Sequence, residues 1–340
     1  VQSAPSIVGP TEPVIVMPSV DVPKEGSTAK VEKVNEVVIG EDGSYTWVVE
    51  NPERVEYVLK APDMNISISF DKKVVDSADK LEIIWKHVGN EHYQLLVYVD
   101  GVEVTHFDAA LQIAKEKEFA YLLRVVDGEY KAMPYQYRNG KFHFAIKQTG
   151  EFYFSKEHKT FEDIAGYVDS VAAIEELASR HIVYGVSETK FNPSGKITRA
   201  QFAAMLSRAL GLEASDRETP FNDTKGKWYE KEVQALYEAG IIRGTSATTY
   251  SPEKYVTRQQ AALMLDRVMA LKGKDGVSTA TPTFKDATLI TEEARDSVAK
   301  LVSLGVIKGF PDGQFKPINS LTRAQMAKMM TGVLKHTGDM

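Results

Sequence analysis

The spacing of hydrophobic and polar positions changes character near residue 159. Before it, short runs rich in β-branched and aromatic residues recur: Tyr45-Thr46-Trp47-Val48-Val49, Val55-Glu56-Tyr57-Val58-Leu59 and Asn65-Ile66-Ser67-Ile68-Ser69-Phe70. The last alternates strictly, as a half-buried strand should. Further strands are predicted over 93–99, 119–125, 135–137, 142–146 and 152–154, while 74–86 reads equally well as helix or strand. Asp42-Gly43, Asp100-Gly101, Asp127-Gly128 and Asn139-Gly140 tolerate positive φ and mark hairpin turns. Many short strands with regular turns predict an all-β, sandwich-like domain over 31–158.

After residue 159 the apolar spacing is helical and repeats three times. Each repeat opens with Phe-x-Asp (Phe161/Asp163, Phe221/Asp223, Phe284/Asp286). An amphipathic helix follows, with apolar positions at Val171, Ile174 and Leu177, at Val233 and Leu236, and at Val298 and Leu301. Gly185, Gly244 and Gly309 close this stretch and suit left-handed helix C-caps. Phe191/Pro193, Tyr250/Pro252 and Phe315/Pro317 come next, at the same spacing in every copy. The repeat then reaches a phrase of apolar residue, Thr, Arg, any residue, Gln: Ile197 to Gln201, Val256 to Gln260 and Leu321 to Gln325. Thr at the N-cap with Gln at N3 is a capping box, so second helices are predicted over 201–210, 260–271 and 325–334. Capping explains Thr198, Thr257 and Thr322. It leaves Arg199, Arg258 and Arg323 unexplained, because they stand at N1, where the helix dipole disfavours a cation. A periodic array of this kind means stacked or pseudo-symmetric units. The domain reading is a Pro-rich linker or frayed terminus over 1–30, the β domain over 31–158, and repeats over 159–214, 215–275 and 276–340.

Composition then removes whole classes of function. A chain of 340 residues has room for two or three folded units, and a net charge of -6 without a basic segment excludes general nucleic-acid binding. There is no Cys, so disulfides and thiolate sites are excluded. No apolar run is long enough to span a membrane. No leader is visible, and the chain starts at Val1, as a processed or recombinant product would. His87 and His92 do not space as a metal pair, and His106, His143 and His158 stand alone, so no metal or other cofactor is expected. Trp47 and Trp85 read as core or rim aromatics, with a ligand platform as the alternative. The carboxylates recur once per repeat, with no second partner to divide acid and base roles, and no hydrolase motif occurs, so the chain reads as a non-enzyme.

Taken together, Phe-x-Asp, the Trp228-containing start of the second repeat's helix, the glycine, the aromatic-x-Pro and the Thr-Arg phrase resemble the S-layer homology domain in three tandem copies over about 159–338. The resemblance implies an all-α, pseudo-threefold unit that binds secondary cell-wall polysaccharide of Gram-positive bacteria non-covalently, typically at a pyruvylated N-acetylmannosamine terminus. It implies a secreted, cell-surface protein, with self-assembly or an upstream cargo domain as further partners. The β domain loosely resembles the accessory module that often precedes such repeats. A guanidinium can grip a pyruvyl carboxylate bidentately, and free N–H groups of the helix start could serve the same anion. Asp163, Asp223 and Asp286 would accept from the sugar or order their loops; Trp228 would stack on it; Gly185, Gly244 and Gly309 complete the expected glycan-binding set. The arginines could instead form salt bridges between repeats. Gln201, Gln260 and Gln325 replace the family's Glu, Gln259 replaces a small Ala, and Val168 and Thr288 stand where repeat two has Trp228, so the three grooves are expected to be inequivalent. The alternative function is an adhesin-like or lattice-forming role centred on the β domain.

Overall fold

The structure, a computed structural model, describes residues 31–33, 36–53, 56–61, 65–76, 78–115, 121–274, 276 and 283–340. The Pro-rich 1–30 segment lies outside the described residues, as do Val55, Phe119 and Ala120 of two predicted strands.

The N-terminal half is two facing sheets. One contains β1 (Val31–Lys33), β4 (Glu56–Lys60), β5 (Asn65–Phe70), β9 (His106–Ala114), β13 (Lys141–Gln148) and β12 (Gln136–Arg138), neighbouring in that order. The other runs β11 (Glu129–Ala132), β10 (Tyr121–Val126), β14 (Gly150–Ser155), β7 (His92–Val99), β6 (Lys80–Gly89), β3 (Tyr45–Glu50) and β2 (Glu36–Ile39), with β8 (Val102–Glu103) paired to β7. All pairings are antiparallel except β1 with β4. The inward residues of both sheets, among them Trp47, Ile68, Ile83, Trp85, Leu111, Phe142 and Phe152, form one buried cluster. Both tryptophans are therefore core.

The ambiguous 74–86 stretch divides: a single helical turn, α1 (Lys72–Val75), precedes β6. The strand reading omitted β9, although β9 pairs with both β5 and β13. Its sequence, His106-Phe107-Asp108-Ala109-Ala110-Leu111-Gln112-Ile113-Ala114, is rich in Ala, and the alternation Phe107, Ala109, Leu111, Ile113 is what the sheet uses. Asp100-Gly101, Asp127-Gly128 and Asn139-Gly140 have positive φ at both residues, the two-residue hairpin geometry. In Asp42-Gly43 only the glycine does.

The helical half has two helices per repeat: α2 (Val171–Ser179) and α3 (Arg199–Leu210), α4 (Glu230–Glu238) and α5 (Arg258–Leu271), α6 (Glu292–Ser303) and α7 (Arg323–Thr337). The second helices begin at the arginine itself, and the last extends past residue 334 to Thr337. All three capping boxes form, with Thr198, Thr257 and Thr322 accepting from the Gln N–H and each Gln side chain accepting from the Thr N–H. First and second helices pair across repeats, α3 with α4, α5 with α6 and α7 with α2, around one shared apolar core.

Gly185, Gly244 and Gly309 are not the C-caps. The left-handed residues after α2, α4 and α6 are His181 (φ 56°), Gly240 (φ 71°) and Gly305 (φ 70°). The predicted glycines serve a steric need instead. A β-carbon at Gly244 would meet the Ser246 carbonyl at 2.2 Å and Phe221 Cε1 at 2.6 Å, and one at Gly185 would meet Ser187 O and Phe161 Cε1 at 2.3 and 2.6 Å. At Gly309 the clash is with Phe284 Cε1, at 2.5 Å. Each glycine lets the opening Phe of its repeat lie against the chain.

Repeat one also docks on the β domain. Arg180 lies 4.0 Å over the Tyr135 ring and donates to the carbonyls of Tyr135 (3.3 Å) and Asp339 (3.1 Å). His181 Nδ1 is 3.2 Å from the Tyr130 carbonyl, and Arg124 pairs with Glu213 at 2.6 Å. Beside these contacts three of the four residues of the edge strand β11 stay exposed.

Candidate functional site: the seams between repeats

The Thr-Arg phrases meet in the middle of the helical half. The apolar residues before each Thr pass backbone hydrogen bonds around a closed triangle: Ile197 N–H to Leu321 O (3.1 Å), Leu321 N–H to Val256 O (2.9 Å), Val256 N–H to Ile197 O (3.0 Å). Their side chains are fully buried.

From this triangle each helix start reaches into the next repeat. Arg199 and Ala200 N–H donate to Lys254 and Pro252 carbonyls, Arg258 and Gln259 to Asn319 and Pro317, Arg323 and Ala324 to Gly195 and Pro193, all at 2.8–3.0 Å. With the third N–H held by the capping Thr, these first-turn donors are spent on protein partners. They are not free for an anion, which corrects that part of the expected chemistry.

The guanidiniums follow the same route. Arg199 Nε donates to Tyr250 O (3.0 Å) and Nη2 to Arg243 O (3.1 Å), with Cζ 4.5 Å over the Tyr250 ring. Arg323 Nε donates to Phe191 O (2.8 Å) and Nη2 to Tyr184 O (2.5 Å), with Cζ 4.3 Å over Phe191. Arg258 Nη2 donates to Lys308 O (2.6 Å). The arginine residues are 4%, 6% and 7% exposed at 199, 258 and 323. An N1 cation is therefore carried away from its own helix dipole onto carbonyl oxygens and a ring face of the neighbouring repeat. The partners are carbonyls, not the carboxylates of inter-repeat salt bridges.

Each Asp sits at the same seam and bonds to backbone. Asp163 accepts from Phe191 and Asn192 N–H (both 2.8 Å), Asp223 from Tyr250 (2.9 Å) and Ser251 (2.7 Å), Asp286 from Phe315 and Lys316 (both 2.8 Å). The second residue of every pair has φ of 58–59°, so the carboxylate holds a left-handed kink just before the Pro that receives the next helix start. Burial raises the Asp163 carboxyl, but the two N–H donors outweigh it and hold the group below its ordinary value. Burial pulls Arg323 down, opposed by Asp163 across the seam. Burial alone brings Arg258 down to about 10, so it stays protonated at neutral pH.

Trp228 is 62% exposed in the connection before α4 and packs edge-on to Tyr229 at 5.1 Å. Tyr229 donates to Glu253 (3.0 Å), beside the Lys254 that receives the Arg199 N–H, so Trp228 stands on the repeat-two side of that seam. Gly185, Gly244 and Gly309 lie in the loops whose preceding residues, Tyr184, Arg243 and Lys308, give the arginines their carbonyl acceptors. Sequence reading missed those carbonyls, and it missed Phe310, whose ring centroid is 5.0 Å from Arg258 Cζ. An aromatic immediately after the glycine, found in repeat three alone, was the available signal.

The S-layer homology domain family profile matches residues 160–203, 220–262 and 283–327. The chain is 37% identical over 175 residues to an endoglucanase of Bacillus sp. (strain KSM-635), covering 51% of this chain and 18% of that protein. It is 35% identical over 150 residues to the surface-layer 125 kDa protein of Lysinibacillus sphaericus (44% and 12%), and 29% identical over 181 residues to the S-layer protein sap of Bacillus anthracis (53% and 22%). The chain thus spans less than a quarter of the length of each of these relatives. Repeated phrase, closed ring and profile coincide: the helical half carries three tandem S-layer homology domains.

Proposed function

We propose that this chain is a non-catalytic anchoring module that holds a polypeptide at the cell surface of a Gram-positive bacterium. The three domains form the pseudo-threefold unit, and the seams are its glycan grooves. The ligand is a secondary cell-wall polysaccharide ending in a pyruvylated N-acetylmannosamine. The observation that carries the reading is the leftover donor capacity of Arg199 and Arg323. A guanidinium has five N–H groups, and the two described bonds of each leave three without a protein partner among the described residues. A pyruvyl carboxylate fits that fork, and hydrogen bonds to charged groups contribute roughly 1.5–3 kcal/mol each. Asp163, Asp223 and Asp286 shape the loops, and the exposed Trp228 offers a stacking face. Relatives named as surface-layer proteins, and others named as glycan-degrading enzymes, fit a shared attachment device on different cargo.

Co-sedimentation tests this reading. The chain should pellet with purified wall sacculi and stay in solution when the sacculi have lost their pyruvyl groups. Equal pelleting on both preparations would contradict it.

A second reading gives the β domain an interaction of its own. It rests on β2, an edge strand whose Val38 and Ile39 are 53% and 60% exposed. Concentration-dependent association abolished by Val38→Lys would support it, and a monomer at all concentrations would contradict it.

A further inference from the structure

The three seams are built alike in backbone but not around their arginines. At Arg199 and Arg323 the Nε–H is satisfied by the carbonyl of the ring residue beneath it, Tyr250 or Phe191. At Arg258 the corresponding bond to Phe315 is missing: Nε is buried without a partner among the described residues, and Nη1 turns inward onto Met329 Sδ at 4.0 Å. A buried donor left unpaired is costly, so something must hold the guanidinium there.

Phe310 is what differs. Arg258 Cζ is 5.0 Å from the Phe310 centroid and 5.0 Å from Phe315, whereas the other two arginines each face one ring among the described residues. Lys316 Nζ lies 4.4 Å over Phe310 and is tied to Asp312 at 2.8 Å, so the ring is held between two cations. The same position is Val186 in repeat one, 60% exposed, and Thr245 in repeat two, whose hydroxyl bonds within its own loop to Ser251 at 2.8 Å. Neither supplies a second ring to an arginine.

We propose that Phe310 is a fixed lid on the third seam, acting not by burying Arg258 more deeply than its counterparts but by holding its fork turned onto Met329 Sδ and Lys308 O, so that the chain holds an anionic sugar at the Arg199 and Arg323 seams and not at Arg258. The inference rests on the anchoring reading for its ligand and on Phe310 alone for its selectivity. Phe310 would thus set the valency of the module, which governs avidity when several chain ends of a wall polymer are within reach.

The test is calorimetric titration of the whole chain with a pyruvylated N-acetylmannosamine monosaccharide, alongside Phe310→Thr and Phe310→Val, which copy the other two repeats. Wild type should saturate with no more than two sugars per chain, and each variant should gain one. Three sugars on wild type, or a variant that gains none or loses affinity, overturns the lid. Phenylglyoxal modification read by mass spectrometry needs no ligand: Arg258 should react several-fold faster in the variants, with melting temperature checked in parallel, and an unchanged rate overturns the lid as well. A wild-type chain that binds no sugar while Arg258 becomes reactive in the variants would sink the anchoring reading and leave the lid standing.

Discussion

At Gly244 and Gly240, four residues apart, the same substitution meets two different obstacles. An Ala at 244 would press its β-carbon into the Ser246 carbonyl and the Phe221 ring, while an Ala at 240 meets open space and only the strain of a left-handed backbone. Gly244→Ala is therefore expected to cost roughly 2–3 kcal/mol or more, and Gly240→Ala about 1 kcal/mol, in urea unfolding. If the two cost the same, the steric account of the repeat glycines is wrong. Asp163 adds a pH signature. Its folded-state pKa is held below the unfolded value, so its contribution is present above about pH 4 and lost as pH falls through the lowered folded value. Asp163→Asn should lower the melting temperature at neutral pH and flatten the acid limb of the stability curve. Spacing alone identified these glycines and aspartates as special positions. It could not tell a left-handed cap from a close approach, because both demand Gly, and it left the aspartates between sugar and loop, where the structure shows two backbone donors on each.

The three second helices owe their starts to local chemistry, and this is why they were legible. Thr257 and Gln260 are three residues apart and cap each other whatever the rest of the chain does. Thr257→Ala should cost about 1 kcal/mol in the urea midpoint of the full chain, and a neutral effect would mean that the inter-repeat bonds at Arg258 and Gln259 fix the helix start unaided. Those bonds were not legible. Arg323 bonds to Phe191 across 132 residues of sequence, and no local pattern encodes such a partner. Strand β9 failed for a related reason: Ala109, Ala110 and Ala114 carry little strand preference, and its place between β5 and β13 comes from the pairings on both sides.

Across the whole molecule, the seams close on themselves: repeat one reaches into repeat two, two into three, and three back into one. Removing residues 276–340 would strip α2 of α7 and leave the Arg258 seam without its acceptors. The truncated chain should lose the helical half's cooperative melting transition by circular dichroism while the β domain keeps its own; retention of both would refute a closed ring. The ring gives the arginines their place in the fold, and the proposed function gives the same residues a ligand. Arg199 and Arg323 each spend two N–H groups on the next repeat, and the proposed groove takes up the remainder, so it would exist only where repeats meet. The most direct test of that claim is a crystal of the chain soaked with a pyruvylated N-acetylmannosamine monosaccharide. The account predicts the pyruvyl carboxylate within hydrogen-bonding distance of the Arg199 or Arg323 guanidinium. A sugar bound away from all three seams, or no bound sugar at saturating concentration, would contradict it.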